Sequence, residues 1–221
     1  MRPLVPAAVL FDFDGLICDT ERAGHRAWQE LYAEHGLHFP PALWQSMVGR
    51  HGGEHLAVED LTRSLAGDVD AAALAARRRR RKDELCEAEP LRPGVLALLH
   101  EAADGGIPAV VVSSASSTWV TGHLERLGVL GRFAFLITGD LTERHKPHPD
   151  LYQLALRRLG CRPGDALAFE DSPVGVRAAR AAGLPCVAVA NAVVDPAELA
   201  GADTVLPSLA DYTLTPEGSP A

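Results

Sequence analysis

The chain has 221 residues, 47% of them hydrophobic and 23% charged, with 16 prolines and 20 glycines. Such a balance can bury a sizeable core, and it excludes a disordered chain or a collagen-like fibre. The 21 basic and 29 acidic residues give a net charge of −8, which excludes the net basic surface of a general nucleic-acid binder.

The first segment, 7–13, is a short, mostly apolar run ending in Asp12-Phe13-Asp14-Gly15 and reads as a buried strand. From 18 to 89 no strand-like run appears. Trp28, Leu31 and Tyr32 recur at helical spacing, and 71–86 is rich in Ala and Arg. After Pro90 and Pro93 the pattern predicts a helix over 94–103, a strand over 107–113, a helix over 118–127 and a strand over 133–138. It continues with a helix over 149–159, a strand over 166–170, a helix over 173–182 and a strand over 186–190. Alternating strands and helices indicate an α/β fold, a Rossmann-like parallel sheet with helices on both faces, because parallel neighbours need crossover connections. The helical stretch becomes an insertion after the first strand: a core of 1–17 and 90–221, and a small helical cap of 18–89. The end of the chain, 213–221, is rich in Pro, Gly, Ser and Thr and reads as frayed.

No apolar run approaches the ~20 residues of a membrane span, so no membrane partner is expected. Cys18, Cys86, Cys161 and Cys186 are widely spaced, form no C-x-x-C pair and follow no secretory leader, which predicts a reduced, cytoplasmic setting.

In an open parallel sheet, ligands bind beyond the carboxyl ends of the strands. Asp12 and Asp14 end the first predicted strand, Ser113 and Ser114 the second, and Glu170 and Asp171 the fourth. Lys146, one of two lysines against 19 arginines, lies between the third strand and its helix. Gathering four acids on one rim raises the cost of ionising each, and a divalent cation removes that cost. Oxygen ligands suit Mg²⁺, which takes one or two carboxylates plus substrate phosphate. Asp12 and Asp14, two apart, would share a face of an extended strand, although the chain is expected to turn here toward Gly15. One carboxylate can attack phosphorus while the other protonates the leaving oxygen, and the lysine offsets phosphate charge. Ser114 offers a hydroxyl and a neighbouring N–H, that of Ala115, just before a helix start that favours anions. These parts amount to phosphoryl transfer.

Four ordered segments carry a resemblance. They are Phe11-Asp12-Phe13-Asp14-Gly15-Leu16, Val112-Ser113-Ser114-Ala115-Ser116, His145-Lys146-Pro147-His148-Pro149-Asp150 and Phe169-Glu170-Asp171-Ser172-Pro173. They resemble the motifs of the haloacid dehalogenase (HAD) superfamily, and Ile17-Cys18-Asp19-Thr20-Glu21 with the helical insertion resembles its β-phosphoglucomutase-like branch of capped sugar phosphatases. The resemblance implies Asp12 as a nucleophile forming an aspartyl-phosphate and Asp14 as general acid/base. It implies Ser114 and Lys146 as phosphoryl binders, and a Mg²⁺ site of Asp12, the backbone carbonyl of Asp14, Asp171 and Glu170. The phosphate- and substrate-binding set is then Asp12, Gly15, Ser114, Ala115 and Lys146, joined from the cap by Arg50 and His51.

The expected activity is a Mg²⁺-dependent phosphatase acting on a small phosphate ester, as a monomer or weak homodimer. The alternative is a β-phosphoglucomutase-like sugar phosphomutase. The histidine expected at the cap hinge of such a mutase falls on Gly24, with His25 as its nearest substitute. The H-x-x-E-H pattern of 51–55 is set aside as a zinc site, because two adjacent glycines oppose a regular helix there. Arg77–Arg81 and Lys82 read as a solvated helix, since consecutive residues point around the whole circumference and acids follow.

Overall fold

The computed structural model of the protein describes residues 5–47, 53–65 and 69–214. Its frame is a six-stranded, wholly parallel sheet of β1 (Ala8–Phe11), β2 (Ala109–Val112), β3 (Phe135–Ile137), β4 (Ala166–Glu170), β5 (Cys186–Val189) and β6 (Thr204–Leu206), in the order β3-β2-β1-β4-β5-β6. In β1, β2, β4 and β5 every residue is buried, as expected of strands covered on both faces. Alternate residues part to opposite sides. Ala8, Leu10, Val110, Val112, Ala166, Ala168, Cys186 and Ala188 enter one core, and Val9, Phe11, Ala109, Val111, Leu167, Phe169, Val187 and Val189 the other.

The first core is closed by α7 (Asp150–Leu159) and α8 (Pro173–Ala181), through Leu151, Ala155, Val176 and Ala179. The second is closed by α5 (Val95–Asp104) and α6 (Ser117–Arg126), through Leu98, Ala102, Val120 and Leu124. The predicted architecture therefore stands, with element ends shifted by up to two residues and one strand added. The first strand stops at Phe11 instead of reaching 13, and β6 was not predicted. β6 is three residues long and lies at the sheet edge, with Thr204 and Val205 exposed, so it has too little buried side chain to leave a periodic signal.

Between β1 and α5 the chain forms α1 (Thr20–Glu34), α2 (Pro41–Met47), α3 (Glu54–Ser64) and α4 (Ala71–Glu87). Asp19 caps α1 by accepting the Arg22 N–H, and Asp70 caps α4 by accepting those of Ala72 and Ala73. The buried stripe of α1 runs Ala23, Ala27, Trp28, Leu31 and Tyr32 and packs on α4. Phe39 stacks on Trp28 with ring centroids 6.0 Å apart and meets Tyr32 edge-on at 5.1 Å. Burial of these aromatics holds the insertion together.

Within the arginine run of α4, position 78 departs from the solvated reading by burial. Arg78 is buried, its guanidinium 4.9 Å from the Trp28 ring centroid; Nη2 donates to Gly24 O at 3.2 Å, and Nη1 pairs with Glu54. A charge hidden among aromatics escapes a reading based on charge pattern alone, since Arg78 is placed by its ring and carboxylate partners. The insertion touches the sheet layer where Trp44 Nε1 donates to Val193 O at 3.0 Å.

Candidate active site

At the end of β1 the Asp12 N–H donates to Phe169 O at 3.0 Å, and the chain then turns. The N–H groups of Leu16, Ile17 and Cys18 all point at Phe13 O, at 3.3, 3.0 and 3.4 Å, and Gly15 N–H donates to Cys18 O at 2.8 Å. The strand has ended and the chain turns at Gly15, as expected, so Asp12 and Asp14 do not share a strand face. The Asp14 carboxylate accepts from Thr20 Oγ1 at 2.7 Å and Trp119 Nε1 at 2.9 Å, both on Oδ1, with Ser113 Oγ 3.5 Å from Oδ2. It lies outside the group of carboxylates able to hold a cation, which among the described residues is Asp12, Glu170 and Asp171. The expectation for Asp14 at a metal concerned its backbone carbonyl, and its side chain is free for other work.

Asp12, Glu170 and Asp171 are all buried, and their ligand atoms lie within 4.8 Å of one another. Lys146 Nζ donates to Asp12 Oδ1 at 2.6 Å and to Glu170 Oε1 at 2.7 Å, and Tyr152 OH donates to the same Glu170 oxygen at 2.5 Å. Asp171 Oδ2 accepts from Asn191 Nδ2 at 2.7 Å. Burial pushes the Asp12 carboxyl up to about 8; the Lys146 charge opposes this, and the charge of Glu170 adds to it. Asp171 is raised well above the ordinary carboxylate range by burial first and by Asp12 and Glu170 next. Burial works to lower Lys146, but the charges of Asp12 and Glu170 outweigh it and hold the ammonium protonated.

The donor set fits a hard divalent cation on three counts. It is oxygen-only; Glu170 Oε2 and Asp171 Oδ1 are buried without a hydrogen-bond partner; and the raised carboxyls need positive charge to ionise. Gly15, with φ +82°, completes the cradle. A β-carbon there would stand 1.9 Å from Asp171 Oδ2, so only glycine lets this turn lie against the acid.

Ser114 Oγ is also buried without a partner, on the loop between β2 and α6. The Ala115 N–H, expected to face phosphate, instead donates to Ser113 Oγ at 3.0 Å. Above this floor lies a cavity of about 900 Å³, bounded below by Asp12, Asp14, Ser114 and Lys146 and above by residues of α2, α3 and α4. Arg50 and His51 lie outside the described residues. His25, the expected substitute for a mutase-type hinge histidine, does not line the cavity; it packs against Phe39 and Trp44 at 5.8 and 4.9 Å.

Among the cavity residues that sequence reasoning did not assign are Glu21, Trp119 and Lys82. Lys82 Nζ stands 4.8 Å from the centroid of the Trp119 ring. Burial pushes Glu21 up, with Lys82 opposing and Asp14 adding to the shift. The scarcity of lysine could have singled out Lys82, but nothing in the spacing marked the other two.

A parallel α/β sheet with acids, a hydroxyl and a lysine converging at its strand ends defines an enzyme of the open-sheet, anion-handling class. The chain belongs to the haloacid dehalogenase-like hydrolase family, whose model matches residues 6–183. It is 39% identical over 207 residues to YhcW of Bacillus subtilis (strain 168), which bears a phosphatase name, with 94% of each chain covered. It is 34% identical over 208 residues to hexitol phosphatase A of Escherichia coli (strain K12), with 93% of each covered. Among solved structures, CbbY from Rhodobacter sphaeroides in complex with phosphate superposes with a TM-score of 0.72 at 32% identity, over 93% of this chain and 96% of that one.

Proposed function

We propose that the protein is a Mg²⁺-dependent phosphatase that hydrolyses a small phosphorylated metabolite, a sugar phosphate by class, through phospho-Asp12. The observation that carries this reading is the Lys146 ammonium shared by Asp12 and Glu170 in the cavity that Ser114, its hydroxyl unpartnered, also lines. That pairing offers a nucleophile, a fixed cation and a donor at one point. The phosphatase names of the relatives support the same conclusion.

Asp12, Glu170 and Asp171 would hold the cation. When bound, Mg²⁺ supplies positive charge that keeps Asp12 ionised and offsets the phosphoryl oxygens. Lys146 and Ser114 bind the phosphoryl group. Asp12 forms a bond to phosphorus as the ester P–O bond breaks, and Asp14, held by Thr20 and Trp119, gives its proton to the departing alcohol oxygen. Asp14 then takes a proton from water as that water attacks phosphorus, and the Asp12 carboxylate and inorganic phosphate are released. We take 18–89 as a cap over a core of 1–17 and 90–221, its helices excluding bulk water from the cavity.

The mutase alternative finds less support. Gly24 stands at the hinge position, where a β-carbon would meet Arg78 Nη2 at 3.0 Å, and His25 is committed to the aromatic cluster. A panel of phosphomonoesters with Mg²⁺ tests the choice. Release of inorganic phosphate is the expected result, whereas interconversion of hexose phosphates with little release would overturn the reading.

A further inference from the structure

The loop after β5 passes beside the buried carboxyls, and no step of the proposed reaction uses it. Ala190 N–H donates to Leu206 O at 2.8 Å and Ala190 O accepts from Arg92 Nη2 at 3.0 Å, so the chain leaves the sheet at a fixed place. Asn191, the next residue, reaches back to Asp171. Its Nδ2 donates to Asp171 Oδ2 at 2.7 Å and stands 3.4 Å from the Asp171 backbone oxygen, while its Oδ1 accepts the Val193 N–H at 2.9 Å. These partners fix which way the amide faces. Turned over, it would set an oxygen against the carboxylate and its amino group against the Val193 N–H, two repulsive pairs.

The grip on Asp171 is one-sided. Oδ2 carries the amide, and Oδ1 is buried without a hydrogen-bond partner, which leaves Oδ1 as the oxygen open to a cation. The two acids beside each other are held differently. Glu170 is held by the Lys146 ammonium, whose charge offsets its own. Asn191 is neutral, so it orients Asp171 and leaves its whole negative charge for a metal ion. Orientation matters most for Mg²⁺, which demands near-ideal octahedral geometry, and less for Ca²⁺, which accepts irregular ligands. A group that orients a metal ligand in this way typically sets 10- to 100-fold in affinity, by order of magnitude.

The same loop is held from its other side. Val193 O accepts from Trp44 Nε1 of α2 at 3.0 Å. The residue whose N–H fixes the Asn191 amide is therefore itself fixed through its carbonyl. A run of hydrogen bonds joins the inserted helix to the acid: Trp44 to Val193, Val193 to Asn191, Asn191 to Asp171.

We propose that Asn191 is a positioning residue of the cation site, holding Asp171 ready for Mg²⁺, and that Trp44 buttresses it through Val193. The proposal rests on the Mg²⁺-dependent reading above and adds the residues that set how tightly and how selectively the ion is held.

The test is isothermal titration calorimetry of the full chain, freed of metal with a chelator, against MgCl₂ and against CaCl₂ at one pH. Asn191→Leu weakens Mg²⁺ by about 10- to 100-fold and Ca²⁺ by a smaller factor. Trp44→Phe, which keeps a ring and loses the N–H, weakens Mg²⁺ by about two- to fivefold. A merely structural role for Asn191 would lower the metal-free Tm and leave the Mg²⁺ affinity where it was, and that result overturns the proposal. Equal weakening of both ions also overturns it, since the loss would then not be one of geometry. If Asn191→Leu does not fold, an unchanged Mg²⁺ affinity in Asn191→Ala overturns it. An unchanged affinity in Trp44→Phe overturns the buttress. A wild type that binds no Mg²⁺ overturns the cation site itself and the proposal with it, whereas Mg²⁺ binding of equal strength in wild type and Asn191→Leu overturns the role of Asn191 alone. Hydrolysis of p-nitrophenyl phosphate tests the phosphatase reading separately.

Discussion

At Asp12 two demands conflict. A nucleophile must be ionised, yet burial pushes this carboxyl up to about 8 even with Lys146 beside it. Asp12→Asn removes the nucleophile, and turnover of any phosphate ester should fall by at least about 10⁴-fold in steady-state assays. The same change removes a buried charge, so the variant should melt no lower than wild type in the absence of metal. Residual activity near wild type would take Asp12 out of the nucleophile role. Asp14 makes a different prediction. Held by Thr20 and Trp119, it serves the leaving oxygen, so Asp14→Asn should slow an alkyl phosphate by about 10²–10⁴-fold. It should slow p-nitrophenyl phosphate, whose leaving group needs little protonation, much less. Equal loss on both would contradict the acid role.

At the scale of elements, the insertion is held by the α1 stripe on α4, with Trp28 at its centre, fully buried between Phe39, Tyr32 and Arg78. Trp28→Ala should cost about 3–5 kcal/mol of the insertion's stability, seen as an earlier urea transition or raised proteolysis of α1–α4 while the sheet stays intact. A single unchanged transition would mean that these helices do not depend on the cluster. The sequence made these elements legible where burial imposes a period, as in β1, β2, β4, β5 and the stripe around Trp28. It made the candidate site legible where chemistry sits at strand ends, at Asp12, Asp14, Ser114, Lys146 and Glu170-Asp171. It could not show β6, a three-residue edge strand with two exposed side chains, or Arg78, whose place is set by a ring and a carboxylate distant in sequence. Glu21 and Trp119 were hidden for the same reason: their meaning arises only when α1, α4 and α6 close around one space.

For the molecule as a whole, the buried carboxyls tie stability to pH and metal. The folded chain holds protons on Asp12 and Asp171 more tightly than an unfolded chain does. Their contribution to metal-free stability is therefore fully present below the ordinary carboxylate range and is lost as pH rises towards about 8. Mg²⁺ competes with those protons, so it should stabilise more at pH 8 than at pH 5.5. At roughly 100 times its Kd the ion contributes about 2.7 kcal/mol, or about 5–10 °C in Tm for a chain of this size. Calorimetry with and without a chelator checks this, and an equal rise at both pH values would contradict it. No helix among the described residues is long and apolar enough to cross a membrane.

The turn at Gly15 carries a consequence for sequence variation. With Asp171 Oδ2 1.9 Å from any β-carbon, and with a φ of +82° that other residues rarely adopt, position 15 has no conservative replacement. In a saturation library scored for phosphate release, every allele other than the parental one should drop out at this codon. Neighbouring Leu16, although fully buried, should still admit other aliphatic side chains.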